Sequence, residues 1–215
     1  MLVIPAINCK DYETALSRVK ISEKILRPDY RWVHIDIVDG KFAPVITWGN
    51  PEDLKKLHSG FPDLKFEIHL MVENHERVAE SWLDAGAKRL VIHAESHGDA
   101  ETTRLLAESR GAEAVLSGGP SVKAEKIFAR GRNFKFVQVL SVNPGFAGQE
   151  FAAGAREKIS FLRKNMPNAK IELDGGVNSE VARLAKAAGA DVAVSASFIF
   201  DAPDPKAAYE ELRNI

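Results

Sequence analysis

The chain has 215 residues, 45% hydrophobic and 27% charged, with a formal net charge of −1, which describes a globular protein with an ample core. So balanced a charge supplies no field for nucleic acid or an anionic membrane, and no run of about 18 apolar residues offers a membrane span. The single cysteine, Cys9, excludes an internal disulfide, and with no basic leader ahead of Leu2-Val3-Ile4 it leads us to expect a reducing, cytoplasmic setting.

Strand-like apolar runs alternate with amphipathic stretches along the whole chain. The first strand is expected over Leu2–Asn8, followed by a helix over Asp11–Ile25 that opens at Asp11, whose carboxylate suits the free first-turn N–H groups. Strands follow over Trp32–Val38 and Lys65–Leu70, then a helix over Glu76–Ala85 stopped by Gly86. A fourth strand spans Arg89–His93, with a helix over Ala100–Ser109 stopped by Gly111. A fifth spans Ala112–Leu116, before a helix opened by Ser121. The sixth strand, Phe134–Leu140, leads through a loop into a helix over Ala152–Lys164. The seventh, Lys170–Asp174, leads into a helix over Ser179–Ala188, opened by Asn178 or Ser179 and closed by Gly189, and the eighth spans Asp191–Ser195. The glycines fall where a left-handed helix stop is wanted. Eight β-then-α units predict an α/β fold, a single (β/α)8 TIM barrel occupying residues 1–215 as one domain. An open doubly wound sheet is the alternative, though it normally uses fewer strands.

Alternation in a strand then assigns faces. Val33, Ile35 and Ile37 face the helices, leaving His34, Asp36 and Val38 on the barrel axis. By the same phase Glu67, His69 and Met71 face inward on the third strand, and Glu172 and Asp174 on the seventh. Charged groups pointing into a barrel are costly unless paired or metal-bound. His34, Asp36, His69 and Asp174 all fall near the carboxyl ends of their strands, where barrel active sites lie. Two imidazoles and two carboxylates suit one divalent ion, and zinc, iron, manganese and cobalt remain equal choices. Glu67 and Glu172, one layer lower, are candidates to hold the second nitrogen of each histidine.

Three loops on the same rim suit a phosphorylated ligand. Gly175 and Gly176 let the backbone approach it closely. The stretch Ser195-Ala196-Ser197 offers free N–H groups at the start of a short turn. The loop Asn143-Pro144-Gly145-Phe146-Ala147-Gly148-Gln149 is long enough to fold over a substrate.

The stretch His34-Ile35-Asp36-Ile37-Val38-Asp39-Gly40-Lys41-Phe42-Ala43-Pro44 resembles the signature after the second strand of ribulose-phosphate 3-epimerases. Ile68–Val72, Val142–Gln149 and Glu172–Asn178 resemble three further blocks of that family, in the right order, so the resemblance runs from about Pro5 to about Phe200. It implies inversion at C3 of a ketose phosphate, D-ribulose 5-phosphate to D-xylulose 5-phosphate, with Asp36 and Asp174 as the two proton-transfer groups. It also implies that both aspartates join His34 and His69 as metal ligands. Further implications are a small sugar phosphate as the binding partner, phosphate or substrate contacts at Met71, Gly145, Ala147, Gly148, Gly175, Gly176, Ala196 and Ser197, and frequent association into homo-oligomers.

The chain departs from the family at several of these places. Pro5-Ala6-Ile7-Asn8-Cys9 stands where the family has Pro-Ser-Ile-Leu-Ser, so Ala6 loses a substrate hydrogen bond worth roughly 0.5–1.5 kcal/mol, and Asn8 is expected to reach the same region. Of the usual inward methionines only Met71 remains, with Val38 and Leu140 at the other places. Lys41 stands where histidine is common, and Ala196-Ser197 replaces Gly-Ser, where a methyl group threatens to crowd the phosphate or forbid a positive φ. A hexulose 6-phosphate substrate and a non-catalytic sugar-phosphate binder are therefore alternatives. A decarboxylase is disfavoured because the second strand lacks an Asp-x-Lys-x-x-Asp pattern. Cys9 and His93 read as packing residues, as do Trp32, Trp48 and Trp82. His58, His75 and His97 read as solvent-facing.

Overall fold

In the computed structural model, which describes residues 1–145, 148–149, 151–152 and 154–215, eight parallel strands close into a barrel in chain order. The first units are β1 (Leu2–Ile7), α1 (Tyr12–Ile25), β2 (Trp32–Val38), α2 (Pro51–Gly60), β3 (Lys65–Met71) and α3 (Glu76–Asp84). They are followed by β4 (Arg89–His93), α4 (Ala100–Ser109), β5 (Glu113–Gly118) and α5 (Ala124–Arg130). The last are β6 (Phe136–Leu140), α6 (Ala155–Asn165), β7 (Lys170–Asp174), α7 (Ser179–Ala188), β8 (Val192–Ser195), a one-turn α8 (Ser197–Phe200) and α9 (Pro205–Arg213). This is the (β/α)8 TIM barrel expected. The open-sheet alternative fails because β1 pairs with β8, Leu2 opposite Val192 through Pro5 opposite Ser195.

Alternation sorts the side chains into two cores. Val33, Ile35, Ile37, Ile68, Leu70, Ile171 and Leu173 pack outward against helix residues such as Val19, Leu54 and Leu162. Ile4, Ala6, Trp32, Val192 and Val194 form a separate inner cluster. At the amino-terminal end of the strands Arg89, 2% exposed, lies 3.9 Å from the Trp32 ring centroid and 4.2 Å from that of Phe136. Its guanidinium donates to Glu67 and Glu113 at 2.7 Å each. A buried cation is sustainable on those terms, stacked and paired on two sides.

Helix starts follow side-chain caps. Asp11 accepts from Thr14 N–H at 2.8 Å. Asn178, not Ser179, accepts from Val181 N–H at 3.0 Å. Gly86, Gly111 and Gly189 take the expected positive φ of 102°, 69° and 111°. Other expectations are corrected. Ser121 does not cap α5, which opens after Lys123 with no side-chain cap, because a turn closed by Val122 N–H on the Gly119 carbonyl intervenes. Nor does α6 begin at Ala152, whose N–H is taken by the Ser141 carbonyl at 3.0 Å. His75 is buried, its Nδ1 2.9 Å from Thr103 Oγ1, and His58 is half-buried, whereas His97 is exposed. Among the described residues no helix is long and apolar enough to cross a membrane.

Candidate active site

At the carboxyl ends of β2, β3 and β7, one donor atom each from His34, Asp36, His69 and Asp174 lies within 4.8 Å of the others. The local cause is register. His34 and Asp36 share the inward face of β2, and β3 pairs so that His69 stands opposite Asp36. His34 Nε2 is 3.1 Å from Asp36 Oδ1 and 3.1 Å from His69 Nδ1. His69 Nδ1 is 3.0 Å from Asp36 Oδ1 and 3.4 Å from Asp174 Oδ2, and His34 Nε2 is 3.8 Å from that same Asp174 oxygen. Both histidines are fully buried, while Asp36 and Asp174 keep 9% and 8% exposure. The carboxylates are therefore the members that reach open space.

Whether a cation fits can be read from the protons. His34 Nδ1 lies 2.6 Å from Glu67 Oε1, a distance that demands a proton on Nδ1 and leaves the Nε2 lone pair facing His69 and both aspartates. Electron-rich atoms held this close repel unless positive charge sits among them. Proton affinities show the same demand. Burial works against charge on His34 and His69, yet Asp36, Glu67 and Asp174 beside them raise both. Burial would raise the Asp36 carboxyl, but the two histidines hold it well below the ordinary carboxylate range. Two imidazoles and two carboxylates at this spacing are a competent donor set for one divalent ion.

The supports behind the histidines differ from the expectation at two points. Glu67 does back His34, but Glu172 backs neither histidine. Its Oε1 accepts from Gln138 Nε2 at 2.9 Å, and burial, with the Glu67 charge nearby, pushes its carboxyl up to about 8. The residue behind His69 is His93, their Nε2 atoms 2.8 Å apart, so His93 is more than packing. Its inward phase on β4, shared with Arg89, was the available signal. The Phe42 ring lies over His93 with centroids 4.8 Å apart.

Above the quartet opens a cleft with about 510 Å³ of empty space including its mouth, walled by Ala6, Asn8, Met71 and Leu140. Gly145, Gly148, Gly175, Gly176, Ala196 and Ser197 line the same cleft, whereas Ala147 and Phe146 lie outside the described residues. Val38 packs with Met71 and Ala43 beside it. Asn8 reaches the expected region, and there its amide donates to Asp36 Oδ2 at 3.1 Å and to the Gly145 carbonyl at 3.4 Å. Ala6 presents only a methyl group. Gly175 has φ +97°, and a Cβ there would meet Val142 Cγ2 at 2.6 Å, so the turn out of β7 needs glycine twice over. Ala196 has φ −104°, so its backbone is not held at a positive φ. Cys9 is a half-buried thiol beside the Asp11 carbonyl, pushed up by burial, which fits an unreactive role.

Comparison with known proteins places this geometry. Residues 3–200 match the Ribulose-phosphate 3 epimerase family. The ribulose-phosphate 3-epimerase of Bacillus subtilis strain 168 is 32% identical over 216 residues, covering 98% of this chain and 97% of that protein. That of Candida glabrata is 30% identical over 218 residues, covering 95% and 87%. Among solved structures, the 3-hexulose-6-phosphate synthase of Salmonella typhimurium superposes with a TM-score of 0.75 at 15% identity, covering 100% of this chain and 97% of its own. That likeness is one of fold.

Proposed function

Because the chain belongs to the ribulose-phosphate 3-epimerase family, whose members are isomerases of carbohydrate metabolism, we propose that it inverts C3 of D-ribulose 5-phosphate to give D-xylulose 5-phosphate. The observation that carries this reading is a pair of carboxylates, Asp36 and Asp174, opening into one cleft from β2 and β7 beside a divalent-cation donor set. A proton next to a carbonyl is weakly acidic, and inversion needs one proton-transfer group on each face of the planar enediolate. Asp36 takes the proton from one face and Asp174 returns one to the other, or the reverse for the opposite reaction. Asn8 holds the outer oxygen of Asp36 in place for this. His34, Asp36, His69 and Asp174 would hold a zinc, iron, manganese or cobalt ion, which would supply positive charge to stabilise the enediolate. Met71 and Leu140 keep water from them, and backbone N–H groups at Gly175, Gly176, Ala196 and Ser197 bind the phosphate.

The bare methyl of Ala6 on the cleft wall favours one second reading, a longer ketose phosphate such as a hexulose 6-phosphate. Both readings are tested by incubating the protein, loaded in turn with each of the four metals, with pentulose and hexulose phosphates in deuterated water and following exchange at C3. Exchange and inversion with ribulose 5-phosphate are expected, reduced about 10²–10⁴-fold in D36N and in D174N. Normal exchange in both variants would overturn the two-aspartate mechanism, and tight binding without exchange under any loading would leave a sugar-phosphate binder instead.

A further inference from the structure

Resting on the donor set of that reading, we infer that His93 and Glu95 form a positioning relay that holds His69 ready to ligate a cation through Nδ1. The His69 and His93 rings are parallel within 6°, with centroids 5.0 Å apart and Nε2 atoms 2.8 Å apart. Those separations differ by about the two ring radii, so the imidazoles meet edge to edge in nearly one plane. That is the geometry of a linear N–H···N hydrogen bond, not of face stacking. One of the two Nε2 atoms carries the proton, and Glu95 decides which. Its Oε1 lies 3.1 Å from His93 Nδ1, off the line of a ring N–H hydrogen bond but close enough for the carboxylate charge to favour the proton of neutral His93 on Nδ1, which makes its Nε2 the acceptor. His69 then donates from Nε2, and its Nδ1 lone pair is left pointing at Asp36 and Asp174. A carboxylate that acts through an imidazole thus sets the tautomer, orientation and basicity of a metal ligand two rings away.

The outer end of the relay is anchored. Glu95 Oε1 accepts the Gly119 N–H at 2.9 Å, and a Cβ at Gly119 would come 2.8 Å from that oxygen, so glycine permits the approach. Lys158 from α6 fixes the same loop by donating to the carbonyls of Gly119 and Pro120 at 2.8 and 2.7 Å. His93 itself is fully buried under Phe42. The two histidines of the quartet are therefore supported differently, His34 by a carboxylate directly and His69 by one through His93.

The test measures cobalt(II) binding to the full chain by chelator competition, with its visible absorption recorded and no sugar present, so a wrong substrate assignment leaves the result untouched. His93→Phe keeps the ring and loses the acceptor, and affinity is expected to fall about 10–100-fold with an altered cobalt spectrum. His93→Gln, whose side-chain oxygen still accepts from His69, is expected to bind within about threefold of the parent. Glu95→Leu, which leaves both rings in place, is expected to weaken binding less than His93→Phe but measurably, and it decides the matter if thermal melts show His93→Phe unfolded. Parental affinity and spectrum in His93→Phe, equal weakening in the phenylalanine and glutamine variants, or parental affinity in Glu95→Leu would each overturn the relay.

Discussion

The wall of the cleft built by β2, β3 and β4 and the wall built by β6, β7 and β8 work with different parts of the chain. On the first, function resides in side chains that the strands themselves aim inward. His34, Asp36, His69 and His93 interlock there, with Glu67 and Arg89 beneath them. On the second, apart from Asp174, the cleft is lined largely by loop and turn residues, Gly145, Gly148, Gly175, Gly176, Ala196 and Ser197. One wall is dry, charged and tightly bonded. The other is open, and its shape depends on φ angles that only glycine adopts at ease. The difference teaches that the candidate cation donors sit where side chains interlock, and that the glycine turns sit where backbone can approach whatever occupies the cleft.

The comparison breaks most sharply at Glu67. Glu67→Ala removes the acceptor behind His34 and leaves Arg89 with only the half-exposed Glu113. A loss of about 3–5 kcal/mol in urea unfolding is expected, since a buried charge is left short of its partner. A smaller, pH-gated effect should also come from the first side of the barrel. His75 is held down to about 4 by burial and then by nearby Arg130, with Glu76 and Asp99 pulling weakly the other way. A histidine whose folded pKa lies below its unfolded value of 6.5 binds its proton more readily in the unfolded chain. Its contribution is thus intact above pH 6.5 and is lost as pH falls toward 4. Thermal midpoints measured across that window should decline in the parent and decline less in His75→Gln, and equal slopes would remove His75 from the account. The mildest change is expected on the second wall. Gly175→Ala forces a side chain into positive φ and against Val142, which should cost about 1–3 kcal/mol of local strain and raise KM for the sugar phosphate more than it lowers kcat. The reverse split would mean that this turn orders Asp174 instead of the phosphate.

This contrast also explains what could be read from the amino acids alone. The positions of His34, Asp36, His69 and Asp174 follow from a period of two and a parallel register, both local rules, and so does the backing of His34 by Glu67. His93 obeys the same rule on β4, but a lone histidine gives no sign of its partner. Glu95 lies past the end of that strand, where alternation no longer applies. Asn8 was expected at the cleft, but its bond to Asp36 was not legible for the same reason: β1 stops at Ile7. The late start of α6 depends on an Ala152–Ser141 hydrogen bond across the loop, and the unstrained backbone of Ala196 on its φ angle. Neither is written in residue type.

Arg89 carries one last consequence. Clamped between Trp32 and Phe136 with Glu67 and Glu113 on its nitrogens, it plugs the barrel from below, and the fully buried Glu67, Gln138 and Glu172 fill the space above it. The molecule is a cup and not a pipe. Among the described residues, Asp36 and Asp174 keep their small exposure on the side of the cleft at the opposite end, so solvent hydrons meet them from that side.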